Sequence, residues 1–123
     1  MEIKLSKEES MEIFHTSMCN GLGWIEGYGI ELTYSSNHYE LASKKIKNPS
    51  HEDVLQQILE DGNPIIFYDI ESGETFPVYL KDVYTKVSKT DSESLLNLIN
   101  ENDDAMDADC VLQTVAFGEV IFG

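Results

Sequence analysis

The stretch CNGLGWIEGYGIELTY, residues 19–34, sets Gly21, Gly23, Gly27 and Gly29 close together in a chain that has only eight glycines. A phosphate-cradling loop and a purely conformational role are the two readings, and they lead to different folds. A dinucleotide fingerprint runs G-x-G-x-x-G from a strand into a helix, so that the helix amides meet the phosphates. Gly21-Leu22-Gly23-Trp24-Ile25-Glu26-Gly27 has one residue too many. It also follows a helical pattern and leads into a strand, which is the reverse order. No G-x-x-x-x-G-K-[ST] occurs either. The block therefore reads as structural. Gly21 and Gly23 are expected to end a helix in the left-handed conformation, and Gly27 and Gly29 to let the chain turn before a strand. Trp24, Ile25 and Tyr28 are expected to anchor that turn by burial.

Working outward, Ser6-Lys7-Glu8-Glu9 fits a capping box, and Met11, Phe14, Met18 and Leu22 recur at helical spacing. These predict a first helix over about residues 7–20. Ile30, Leu32 and Tyr34 alternate with Glu31 and Thr33, as in a half-buried strand. Asn37 is the expected cap of a short helix that ends before Pro49. Ser50-His51-Glu52-Asp53 opens another helix, with Val54, Leu55, Ile58 and Leu59 as its apolar stripe and Gly62 as its stop. Residues 65–80, broken at Glu71-Ser72-Gly73-Glu74, read as a hairpin, and Pro77 places the return strand at a sheet edge. A short helix after Leu80, one capped by Asp91 or Ser92, and a small-residue-rich helix over about 104–117 complete the pattern. The expected fold is one α+β domain, 1–123, of five to six short helices on a small, mainly antiparallel sheet. The apolar end, Val120-Ile121-Phe122, is expected to lie as a strand on the sheet or in a groove beside the last helix. A self-associating edge that makes a homodimer is the alternative.

The charge narrows the function. Eight lysines and no arginine face 23 acids, a net charge of -15. Residues 1–50 carry five lysines and seven acids, and residues 51–123 carry three lysines and sixteen acids. Such a surface repels free nucleic acid and anionic membranes. Without a guanidinium, bidentate recognition of phosphate or carboxylate is also lost. Two cysteines 91 positions apart, no evident signal peptide and no apolar run of membrane length predict a reduced, cytoplasmic protein.

Site chemistry is sparse. His15 and Cys19, at i and i+4, form half of a zinc site, and His38, His51, Cys110 or an acid would have to complete it. Their spacing gives no support, so no metal is expected. Residues 101–109 are acid-rich but lack the D-x-[DN]-x-[DN]-G register of a calcium loop. No nucleophile elbow, H-E-x-x-H or local Cys/His signature is present, so neither a catalytic residue nor a cofactor is assigned.

The blocks EIFHTSMCNGLGWIEGYGIEL (residues 12–32), HEDVLQQILEDG (51–62) and VLQTVAFGEVIFG (111–123) resemble small acidic proteins of unknown function encoded by bacteriophages and mobile elements of gut bacteria. The resemblance implies a bacterial cytoplasm and a role in the phage or element life cycle, and it carries over no functional residue. The leading expectation is a non-enzymatic binding protein. Its acidic second half, through Glu101, Asp103, Asp104, Asp107 and Asp109, would engage a basic surface on a host or phage protein, with nucleic-acid mimicry as one form of this. A structural or assembly protein whose charge serves solubility is the alternative, and an enzyme with an unrecognised site is third.

Overall fold

A computed structural model describes residues 3–123. It is an α+β fold of six helices on a three-stranded antiparallel sheet. In chain order the elements are α1 (Lys7–Glu26), β1 (Ile30–Thr33), α2 (Ser36–Ser43), α3 (His51–Glu60), β2 (Ile65–Asp69), β3 (Thr75–Val78), α4 (Leu80–Lys86), a 3-10 turn (Val87–Lys89), α5 (Ser92–Ile99) and α6 (Ala105–Phe117). No helix among the described residues is long and apolar enough to cross a membrane.

The sheet runs β1-β2-β3, so β2 is central and Pro77 lies on an edge strand, where a missing amide is tolerated. Leu32, Phe67 and Phe76 stand opposite one another, and Ile65 faces Val78. These side chains share the face toward the helices, and Ile65, Phe67 and Val78 are wholly buried. The turn is closed by Asp69, whose Oδ1 accepts from the amides of Glu71 and Ser72, and by Gly73 at φ +77°.

Against this face lies α1, packed most closely on α6. The expected stop at Gly21 and Gly23 is wrong, because the helix runs on to Glu26 and Gly27 caps it with right-handed geometry. Gly21 is instead a contact. A Cβ there would come within 3.0 Å of Ala108 Cβ and Leu112 Cδ1, so its lack of a side chain sets how closely α1 and α6 approach. Gly23 faces open space and constrains nothing. The turn residue is Gly29, at φ +82°. Of the three expected anchors, Ile25 is fully buried and Tyr28 partly so. Trp24 remains 48% exposed, with its indole N–H donating to Tyr28 Oη at 2.9 Å.

The small-residue helix α6 is central: Ala108, Val111, Leu112 and Val115 are fully buried, together with polar Gln113. Capping boxes open α1 at Ser6, α3 at Ser50 and α6 at Asp104. The cap of α2 is Ser35, not Asn37, which lies inside the helix. α3 and α5 both end with the next-but-one amide bonded five residues back, Asn63 to Ile58 and Asn102 to Asn97. The left-handed residue this needs is Gly62 in one case and Glu101, at φ +58°, in the other.

The last residues form no strand. Gln113 Oε1 accepts from the amides of Ile121 (2.8 Å) and Phe122 (2.9 Å), and its Nε2 donates to the Phe122 carbonyl (3.0 Å). The Phe122 ring stacks on Tyr28 at 5.2 Å. The end lies beside α6 through Gln113, and Ile121 stays 51% exposed, since its backbone and not its side chain is held.

Candidate functional site

Positions 9, 12, 13 and 16 fall on one face of α1, since residues three and four apart are neighbours on a helix. That face forms a wall of two adjoining grooves. The first, about 220 Å³, lies between α1 and the α5–α6 junction. Ile13, Leu98 and Ile99 line it together with Thr16 and the acids Glu9, Glu12, Glu101 and Asp103. The second, about 550 Å³ and more open, lies among α1, α3 and α4. Glu8, Glu12, Asp53 and Glu60 line it. Across both grooves, among the described residues, seven carboxylates face one lysine, Lys7, whose Nζ lies 5.4 Å from the centre of the Tyr84 ring.

This surface is only partly the one expected from the charge of the second half. Glu8, Glu9 and Glu12 come from the first fifty residues, so the acidic concentration arises in space and not along the chain. Of the five expected residues, Glu101 and Asp103 line the first groove, and Asp103 also accepts from Asn20 Nδ2 at 3.1 Å. The other three make bonds within the fold. Asp104 accepts from the amides of Met106 and Asp107 at the start of α6. Asp107 returns a bond to the Asp104 amide and receives Asn97 Nδ2. Asp109 is 6% exposed and accepts from Tyr28 Oη (3.0 Å) and Gln113 Nε2 (2.9 Å), so it presents no surface to a partner.

Beside the second groove is a contact that spacing alone did not reveal. Cys19 Sγ is 3.8 Å from His15 Nδ1, and His15 Nε2 is 2.8 Å from Asp53 Oδ1 on α3. The Ser50 amide donates to the other Asp53 oxygen, Oδ2, at 3.1 Å, so one carboxylate both caps α3 and orients the imidazole. The Ser50 amide, and after it His15, hold the Asp53 carboxyl below the usual aspartate value. Cys19 moves the other way: burial first, then the neighbouring Glu52, push its thiol up. Asp53 is legible in the sequence only as a capping residue. Its second partner lies 38 positions away, and only the packing of α3 on α1 supplies it. Among the described residues no three His, Cys, Asp or Glu side chains are grouped to hold a metal ion.

No family model matches this chain, and neither the curated proteins nor the solved structures contain a match to it.

Proposed function

We propose that the protein is a non-enzymatic acidic binding protein, and that the double groove flanking α1 receives a basic surface of another protein. The observation that carries this reading is the ratio of seven carboxylates to one lysine, among the described residues, on two adjoining concave surfaces, the first also lined by Ile13, Leu98 and Ile99. Packing on apolar side chains adds affinity, while opposed charge adds steering and specificity. The low fraction of cations also disfavours a nucleic acid or anionic lipid as the direct ligand.

In this reading the protein works in a bacterial cytoplasm, in the life cycle of a phage or mobile element, and its partner is a basic host or phage protein. Nucleic-acid mimicry is the sharper form: the partner would then be a nucleic-acid-binding protein, and duplex DNA would compete for it.

The test separates a built surface from bulk charge. Glu8, Glu12 and Glu101, none of them a capping side chain, are changed together to Lys. Glu71, Glu74 and Glu119, exposed and away from the grooves, are changed together as the control. Both triples alter net charge equally. Captured basic proteins should be lost from the first variant and kept by the second. Equal loss from both would mean that the charge acts only in bulk, as in a structural or assembly protein.

A further inference from the structure

Thiol, imidazole and carboxylate stand in line at Cys19, His15 and Asp53. In the neutral imidazole, a proton on Nε2 suits the carboxylate beside it, and that tautomer directs the Nδ1 lone pair to the Cys19 thiol. Cys19 is an exposed residue whose sulfur is partly shielded. This is the arrangement of a nucleophile with an oriented base. Its surroundings set limits on the chemistry. Partial burial, then the charge and hydrogen bond of Glu52, push the thiol up, and the imidazole at Nδ1 is the neutral base placed to take the proton as the sulfur attacks. Cys19 sits well inside α1, where the backbone amides are committed to intrahelical bonds. No pair of amides is free there to hold an oxyanion, which disfavours acyl transfer. Substitution at sulfur needs no such donors.

We infer that Cys19 is a site of reversible thiol–disulfide exchange with small cationic disulfides. Cys19 Sγ attacks one sulfur of the disulfide as its proton passes to His15 Nδ1. A new S–S bond joins Cys19 to one half of the reagent. The old S–S bond breaks, and the departing thiolate takes the proton from His15, so no external oxidant is needed. The groove that His15 lines carries Glu8, Glu12, Asp53 and Glu60 against Lys7, an excess of negative charge that favours a cationic reagent.

Cystamine, which is dicationic, and glutathione disulfide, which is anionic, are the probes, with intact mass and peptide mapping as readouts on the folded protein. Cys110 is the internal comparator, half-buried and with Ser94, not a histidine, as its side-chain neighbour. Cystamine should label Cys19 about tenfold or more faster than Cys110, and faster than glutathione disulfide does. His15→Gln should slow Cys19 about a hundredfold, the low end of assistance by a positioned base. Glu52→Gln, which removes an opposing charge, should accelerate it. Equal rates at the two cysteines, no preference for cystamine, or an unchanged rate in His15→Gln would each overturn the inference. If His15→Gln fails to fold, Glu52→Gln decides: a rate that falls or stays the same overturns it.

Discussion

The side chain of Gln113 holds Phe122 by both faces of its backbone. Oε1 accepts from the Phe122 amide at 2.9 Å while Nε2 donates to the Phe122 carbonyl at 3.0 Å. A fully buried amide thus does for the chain end what a neighbouring strand would do, and Phe122 adds its ring to Tyr28 and Phe117.

Gln113→Ala should therefore lower stability by roughly 2–4 kcal/mol, from lost bonds and the cavity left in α6. Deleting residues 119–123 should also lower it. The two changes remove the same contacts, so their effects should fall well short of adding. Urea unfolding of the single and double variants checks this. Full additivity would mean that Gln113 does not hold the tail.

Two glycines on α1 should respond with opposite signs to alanine. Gly23→Ala, in a helix and facing open space, should stabilise by about 0.5–1 kcal/mol. Gly21→Ala gains the same propensity but drives a methyl to 3.0 Å from Ala108 and Leu112, an overpacking cost of roughly 1–3 kcal/mol. A net loss is expected there. Thermal melts of both variants settle the comparison, and a stabilising Gly21→Ala would contradict the close approach of α1 and α6.

Glu101 occupies a left-handed position that glycine fills at the end of α3. Glu101→Gly should raise stability by up to about 1 kcal/mol, by relieving that conformation. It also removes a groove carboxylate, so a more stable protein should bind its basic partner less well. A variant no more stable than the parent would show that Glu101 sits there without strain.

The pH dependence of the His15–Asp53 contact has a definite sign. The folded-state carboxyl of Asp53 is lowered from 3.8, chiefly by the Ser50 amide and then by His15. A lowered carboxyl contributes stability that is fully present above its unfolded value and is lost as pH falls through its folded value. Asp53→Asn should thus be less stable than the parent at pH 7, and the gap in melting temperature should close as pH falls below 3.8. A gap that stays constant from pH 7 to pH 3 would remove the carboxylate from the argument.

Local signals were easy to read because they depend on neighbours in sequence. Ser6 and Ser50 each meet an acid three residues on, and both make the capping boxes that this spacing predicts. Residues 65–69 and 75–78 pair across a turn built on Asp69 and Gly73. Gly21 and Gly23 misled because a glycine near the end of a periodic stretch looks the same whether it stops a helix or admits another one. The difference lies in Ala108 and Leu112, more than eighty residues away. The acidic run at 101–109 is not one surface: Glu101 and Asp103 line a groove before α6 begins, Asp104 caps α6, and Asp109 turns inward from it.

The sequence by itself determined the class of fold, the starts of α1, α3 and α6, the hairpin and the excess of negative charge, because these follow from spacing, capping chemistry and composition. Tertiary structure alone decided where that charge gathers, what Gln113 binds, and that Asp53 meets His15. Each of those depends on two elements packing at one distance and rotation, and burial of the apolar faces of α1, α3 and α6 sets that geometry without leaving a mark on the polar residues it brings together.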